Sequence, residues 1–270
     1  MTEANPYQPP ASAVVVAAVT NGFIAHGRTV DVGRGWAWVG DAWAMFVRHP
    51  IPWIIDGLVF AVVVMVLPYM PPVLGWIASA LLTPVILGGL MLGADAVHRG
   101  DPLTFGHIFA GFQKNTGTLL GLGFIWLICL TCIVVLAAFI MGFGLLATLA
   151  TAMANADPVQ TASSVIAIIL GSITSIMLSL LVAFALLVPV TMMFWFAPAL
   201  VVLHDMGGGA ALRASFAGCL KNIMPFFLYG LVMLVLSTVA AIPLMLGFVV
   251  LIPVTIASVY TGYRDIFLTN

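Results

Sequence analysis

The chain alternates between long uncharged apolar runs and short segments that hold its charged residues. One run, Leu119 to Ala150, contains no charged residue and exceeds the roughly 20 residues with which a helix crosses a bilayer. No run shows the apolar–polar alternation of a transmembrane barrel strand. The pattern therefore predicts an all-α integral membrane protein.

The apolar runs fall into three pairs, and each pair predicts a transmembrane hairpin. The sequence PYMPP, from Pro68 to Pro72, closes the first hairpin, since proline clusters mark turns. The third turn is predicted near Pro243 to Gly247. The six predicted spans are Trp53 to Leu67, Val73 to Val97, Thr118 to Leu149, Ser164 to Leu203, Phe226 to Ile242 and Leu244 to Tyr263.

A short amphipathic segment precedes each predicted hairpin and ends in a basic residue: Arg48, Lys114 or Lys221. Its apolar residues recur at helical spacing, so each segment predicts a helix lying in the membrane interface. These apolar residues are Trp36, Val39, Trp43 and Phe46 in the first segment, Phe105, Ile108, Phe109 and Phe112 in the second, and Leu212, Phe216, Cys219 and Leu220 in the third.

These similar segments indicate an internal repeat. FAGFQKN, ending at Asn115, returns as FAGCLKN, ending at Asn222. At that offset Gly123 aligns with Gly230, and a fainter copy upstream aligns Trp43, Arg48 and Gly57 with Phe109, Lys114 and Gly123. One proline inside an apolar run marks each copy: Pro84, Pro189 and Pro253. Two independent markers predict three repeats, at 35–98, 101–205 and 208–265, within one transmembrane domain, 35–270, preceded by an extended or disordered tail, 1–34.

The middle hairpin is predicted to be longer than a bilayer requires. Its two helices must tilt, break or project, because each exceeds the roughly 30 Å hydrocarbon core. The small, mildly polar residues between them predict an extracytoplasmic projection with Asp157 and Pro158 at its tip.

The basic residues predict the orientation. All eight Lys and Arg residues lie on the amphipathic-helix side of the predicted spans. By the positive-inside rule, both termini and the three interfacial helices are cytoplasmic in a bacterial inner membrane. Because every repeat enters from this side, the repeats are predicted to be parallel.

Composition narrows the possible partners. The chain is 63% hydrophobic and 6% charged, with a net charge of −1, so it offers no basic field for nucleic acid. We expect the partners to be membrane lipids or a partner membrane protein. Three cysteines in or beside apolar helices do not suggest a disulfide framework.

Several residues are candidates for packing or for helix kinks. Gly57, Gly123 and Gly230 are predicted to allow close helix approach near the start of the odd-numbered spans. The prolines Pro84, Pro189 and Pro253 are predicted to kink the even-numbered spans, either as fixed bends or as transporter hinges.

Four polar residues near the predicted cytoplasmic face are candidates for a site: Asp56, Asp95, His98 and Asp205. Asp56 lies just inside the first span, where an ionisable group is costly. It serves either as a proton or cation relay with Arg48 or Arg99, or as an interfacial carboxylate paired with a neighbouring base. No ligand pattern repeats with metal-site strictness, so we expect neither metal nor cofactor.

Four stretches carry a family resemblance: NPYQPP at the start, GRGWAW, FWFAPALV and ALRASFAGCLKNIMPFFLYG. Through them the chain resembles a family of uncharacterised bacterial inner-membrane proteins, and more distantly YciC-type proteins and the membrane domain fused to some glycerophosphodiester phosphodiesterases. The resemblance covers nearly the whole chain and implies an integral six-helix protein. It carries over no catalytic residue.

These patterns favour a non-enzymatic membrane protein that binds lipid or holds a partner. Arg48, Lys114 and Lys221, with the aromatic residues Trp43, Phe109 and Phe216, are the predicted headgroup or partner contacts. The alternative is a transporter or channel for a small or lipid-like substrate, with kinked helices lining its path.

Overall fold

The computed structural model describes residues 22–154 and 161–269, which are almost entirely helical. The predicted tail up to residue 21 and the predicted hairpin tip at Asp157 and Pro158 lie outside these ranges. A π-helical segment, Val62–Val66, and a 3-10 turn, Leu67–Tyr69, extend α2. Within the described ranges the α-helices are α1 (Arg34–Arg48), α2 (Pro50–Ala61), α3 (Pro72–Arg99), α4 (His107–Ala110), α5 (Thr116–Ala154), α6 (Thr161–Trp195), α7 (Ala197–His204), α8 (Gly208–Lys221), α9 (Ile223–Ala241) and α10 (Phe248–Phe267).

Five described segments are long and apolar enough to cross a membrane: Pro50–Tyr69, Val73–Arg99, Thr116–Ala154, Val165–His204 and Ile223–Ala241. The sixth predicted span, Leu244 to Tyr263, overlaps α10, which is not among the five. Arg264 and Asp265 lie in the last turn of α10 and most of the helix is buried. Six spans and the threefold repeat therefore stay predictions.

The second amphipathic segment forms less helix than its pattern predicts. The pattern extends from Phe105 to Phe112, whereas α4 is a single turn, His107–Ala110. Gly106 and Gly111 flank it, and Gly111 lies so close to α3 that an added Cβ would be 1.9 Å from the Val85 carbonyl oxygen. The segment thus forms only a short helix, and its flanking glycine Gly111 allows close contact with α3.

The long span before α8 breaks between α6 and α7. In a continuous helix the Phe196 N–H would bond the Met192 carbonyl. Instead, the buried Ser215 hydroxyl donates to Met192 O at 2.7 Å and accepts from Phe196 N at 3.0 Å. Pro198, in the first turn of α7, removes one more backbone donor. A side chain inserted into the hydrogen-bond ladder therefore explains this break.

The buried core lies between α1, α3, α7, α8 and α10, and α5 and α6 pack mainly on each other. Residues 22–33, assigned from sequence to the tail, instead pack against the end of α10. Thr269 N bonds Gly22 O at 2.7 Å, Ile24 N bonds Phe267 O at 2.8 Å, and Arg28 N bonds Ile266 O at 2.8 Å. The two ends of the described chain therefore meet.

The three predicted packing glycines do not share one environment. An added Cβ would be 2.9 Å from Pro253 Cδ at Gly57 and 2.6 Å from Ala80 O at Gly123, but would meet nothing within 4 Å at Gly230. Gly230 is exposed, so the close-packing prediction is wrong there. Pro84, Pro189 and Pro253 all lie inside helices, as their sequence positions predict.

Candidate functional site

A polar pocket of about 490 Å³ lies along α1, from Arg34 to Arg48, beside the C-terminal turns of α3 and α10. Arg48 is the last residue of α1, and His98 and Arg264 lie in the last turns of α3 and α10. Basic side chains are favourable there because helix C-termini carry partial negative charge. The pocket is lined by Arg34, Asp41, Ala44, Met45, Arg48, His98, Tyr260, Thr261, Arg264 and Asp265.

The carboxylate at the pocket floor, Asp265, is already paired with two arginines. It is buried and accepts from Arg34 Nε at 2.5 Å, from Trp38 Nε1 at 2.9 Å and from Arg28 Nη2 at 3.3 Å. The hydrogen bond between Asp265 and Arg34 is the main cause that raises the pKa of the Arg34 guanidinium, and the negative charge of Asp265 raises it further. Asp265 therefore does not serve as an ion-pair partner of Arg48 or Arg264, the other two arginines of the pocket.

Arg264 contacts a histidine rather than a carboxylate. Its Nη1 lies 2.8 Å from His98 Nδ1. A guanidinium only donates, so Nδ1 is the acceptor and the remaining ring proton of this neutral imidazole lies on Nε2. Arg264 keeps its full charge at the pocket wall.

Arg48 is the second guanidinium of the pocket without a carboxylate partner. It is exposed, and within residues 22–154 and 161–269 it forms no ion pair or side-chain hydrogen bond. The nearby Asp95 is engaged elsewhere, since it accepts from Tyr260 at 2.8 Å and pairs with Arg99 at 2.9 Å. Two available guanidinium groups facing one pocket form an anion-binding arrangement.

The two repeated lysines have protein partners, unlike Arg48. Lys114 Nζ lies 3.6 Å from Asp205, whereas Lys221 Nζ donates to the carbonyls of His26 at 3.0 Å and Gly27 at 2.9 Å. A hydrogen bond from Asn115 and the charge of Lys114 lower the pKa of Asp205. Both lysines tie segments of the fold together, a role that their predicted headgroup contact did not include.

The predicted aromatic contacts are exposed to different degrees. Trp36 and Trp43 are 65% and 51% exposed on one side of α1, while Trp38 is buried on the other. Phe109 is 45% exposed, and Phe216 is half-buried. Exposed aromatic residues thus lie on both α1 and the second segment, and Trp36 and Trp43 line an apolar cavity against α9 and α10 rather than the basic pocket.

A second, mainly apolar cavity of about 460 Å³ lies between α3, α5, α6 and α10. Trp76, Trp126 and Trp195 line it, together with Pro84. It also borders α3 at Met91, about 10 Å along the helix from His98 at 1.5 Å per residue. The basic pocket and the apolar cavity are therefore built on the same two helices, α3 and α10.

The four predicted polar residues do not form one site. Asp95 and His98 lie one turn apart near the basic pocket, whereas Asp205 binds Asn115 at 2.8 Å. Asp56 is fully buried, and neither of its carboxyl oxygens has a hydrogen-bond partner. Of its two predicted roles, that of an interfacial carboxylate paired with a neighbouring base is therefore wrong. Over the described ranges, no three His, Cys, Asp or Glu side chains gather as a metal site would require.

Sequence reasoning missed the cluster around Asp265. Arg34 and Trp38 stand one helical turn apart in α1, but Arg28 and Arg34 both fell in the assumed tail. No local signal links any of them to an aspartate more than 220 positions away.

Comparison with known proteins agrees with a membrane location. The chain is 27% identical over 213 residues to a probable inner membrane protein of Burkholderia thailandensis, covering 77% of this chain and 75% of the relative. No protein-family model matches it, and no solved structure is significantly similar to it. With five membrane-length apolar helices in its described part, the chain is an integral membrane protein.

Proposed function

We propose that this protein binds anionic phospholipid in the bacterial inner membrane and acts there as a non-enzymatic scaffold. The observation that carries the proposal is the basic pocket, in which Arg48 and Arg264 face one space without carboxylate partners among the described residues. Guanidinium groups suit a phosphate because they donate in a planar fork.

Two further features support a lipid. The exposed tryptophans of α1, Trp36 and Trp43, suit the headgroup level of a bilayer, where aromatic residues are enriched. The apolar cavity on α3 and α10 suits an acyl chain, since it offers tryptophan and aliphatic walls rather than charge. We place the basic pocket, both termini and the three amphipathic segments on the cytoplasmic side, and we retain the threefold parallel repeat as part of the proposal.

The test is native mass spectrometry of protein titrated with phosphatidylglycerol or phosphatidylcholine in detergent. The double variant Arg48→Gln and Arg264→Gln is expected to bind phosphatidylglycerol roughly tenfold or more weakly, because two charge-assisted contacts are lost. Binding to wild type should also weaken as salt rises.

The matched control is Arg213→Gln. Arg213 is an exposed arginine on α8 whose side chain bonds only its own helix, at Gly209 O. Equal loss in the control and the double variant, or no preference of wild type for the anionic lipid, would contradict the proposal. A variant with Arg48→Lys in place of Arg48→Gln should bind more tightly than the double glutamine variant, since lysine keeps the positive charge.

A transporter or channel is the second candidate, favoured by the apolar cavity beside Pro84. In this reading a lipid-like substrate passes between the kinked helices. Lipid translocation in proteoliposomes should then occur with wild type and fall when Ala80→Phe fills the cavity wall. Wild-type vesicles without translocation activity would remove this candidate.

A further inference from the structure

A buried polar pair on α2 is not explained by the lipid pocket. Asp56 and Trp53 are both fully buried, and Asp56 Oδ1, Asp56 Oδ2 and Trp53 Nε1 lack hydrogen-bond partners. Residues three apart share one face of a helix, so an acid and an N–H donor lie together inside the protein. Each such group is costly to bury without a partner.

The surroundings of Asp56 are tightly packed. α2 packs chiefly against α10 and also against α3 and α1. At the next residue, Gly57, an added Cβ would be 2.9 Å from Pro253 of α10. The close contact between these helices leaves Asp56 enclosed rather than facing lipid or solvent.

The neighbouring elements supply no charge to Asp56. Each titratable or charged group on these elements has another partner or location. On α10, Arg264 bonds His98, Asp265 binds Arg28 and Arg34, and Tyr263 bonds His204. On α3, Asp95 accepts from Tyr260 and pairs with Arg99; on α1, Asp41 pairs with Arg34 and Arg48 lies at the basic pocket, while His49 precedes α2. None is hydrogen-bonded to either Asp56 oxygen.

We propose that Asp56 is a proton-binding site inside the membrane domain, and that α2 stays packed against α10 only while this proton is bound. An ionised carboxylate here would be an unpaired buried charge, whose desolvation cost is several kcal/mol. The neutral acid avoids that cost. When the proton leaves to water, the carboxylate needs several donors, of which the N–H of Trp53 on the same helix face can supply only one. Water must supply the others, and its entry requires α2 to move away from α10.

Infrared spectroscopy tests proton occupancy directly. The carbonyl stretch of a protonated carboxylic acid should be present in wild type at neutral pH and disappear in Asp56→Asn. The matched control is Asp265→Asn, which removes a buried aspartate that is paired with two arginines. The control should leave the band in place. A wild-type spectrum without this band, or a band that survives Asp56→Asn, would overturn the proposal.

Hydrogen exchange tests the helix movement. In wild type, raising the pH until the infrared band is lost should speed the exchange of α2 amides beyond the intrinsic effect of pH on exchange. In Asp56→Asn, a neutral side chain of similar shape, this extra acceleration should be absent. The same acceleration in both proteins would show that α2 opens independently of Asp56. The outcome does not depend on lipid binding at Arg48, so the two proposals can fail separately.

Discussion

The bundle around α3 and the hairpin of α5 and α6 are both apolar, yet they pack differently. In Val73–Arg99, 56% of the most apolar window is buried inside the protein, against 6% in Thr116–Ala154. In the bundle of α1, α3, α7, α8 and α10, helix backbones approach closely, and polar side chains such as Asp265 form hydrogen bonds and ion pairs between segments. The hairpin relies on small residues facing each other, such as Gly144 against Ser175. Hydrophobicity thus predicts membrane insertion, while small and polar residues decide which apolar surfaces pack together.

The largest expected effect comes from filling the closest contact of the bundle. Gly111→Leu places a side chain where even a Cβ would be 1.9 Å from Val85 O, so α4 must separate from α3. We expect a loss of about 3 kcal/mol or more, measured as thermal unfolding in detergent. Gly230→Leu is the control, because an added Cβ there meets nothing within 4 Å; equal destabilisation would refute the contrast.

The next largest effect concerns the helix break between α6 and α7, where the hairpin meets the bundle. Ser215→Ala removes the hydroxyl that bonds both Met192 O and Phe196 N. The Phe196 N–H is left unpaired and Met192 O keeps only the Cys219 thiol at 3.5 Å, which costs about 1–3 kcal/mol. The measurement is again thermal unfolding. Thr238→Ala, whose hydroxyl bonds only its own helix at Leu234 O, should change stability by less than about 0.5 kcal/mol. A Ser215 variant as stable as this control would mean that α6 and α7 rejoin without penalty.

A local effect is expected within the hairpin. Gly144→Ile would clash with Ser175, since an added Cβ lies 2.1 Å from its Oγ. We expect faster hydrogen exchange or proteolysis of the outer parts of α5 and α6, with little change in unfolding of the bundle. Gly142→Ile, where a Cβ meets nothing within 4 Å, should leave both unchanged. A similar shift of bundle unfolding in the Gly144 variant would show that the two regions unfold as one unit.

The smallest expected effect is a dependence on pH at the junction of the regions. The pKa of Asp205 is lowered in the folded protein, chiefly by Asn115 and then by Lys114. A lowered pKa stabilises the fold above the unfolded pKa of about 3.9, and this stabilisation is lost as pH falls through the folded value. Asp205→Asn should therefore reduce the thermal midpoint slightly at pH 7 and not at strongly acidic pH. An equal reduction at both would assign the effect to hydrogen bonding alone.

Apolar periodicity predicted most of the helices, because long uncharged runs have few alternatives to helix. It placed five of six spans within a few residues of the observed segments, and it placed the proline turn of the first hairpin. It failed to assign α4 its short length and missed the break at Phe196. Both depend on distant residues, Val85 and Ser215, that no local pattern identifies.

The repeated segments FAGFQKN and FAGCLKN contain packing residues that their lysines concealed from sequence reasoning. The lysines were the visible feature in a chain with few charges, but the glycines and asparagines carry the packing. Gly111 contacts α3 and Gly218 lies against Phe267, while Asn222 bonds the carbonyls of Arg28 and Gly218. Small residues and amides give weak sequence signals, since their role appears only when two segments meet.

The contact between residues 22–24 and 267–269 means that the described chain traces a nearly closed circuit. Covalent joining of these ends would therefore cost little strain, and the chain can be opened elsewhere. The turn at Leu244 and Met245, where both residues have positive φ and are exposed, offers a new pair of termini. A circularly permuted protein that joins the contacting ends and is opened at this turn should keep its bundle, with its new termini exposed for fusion partners.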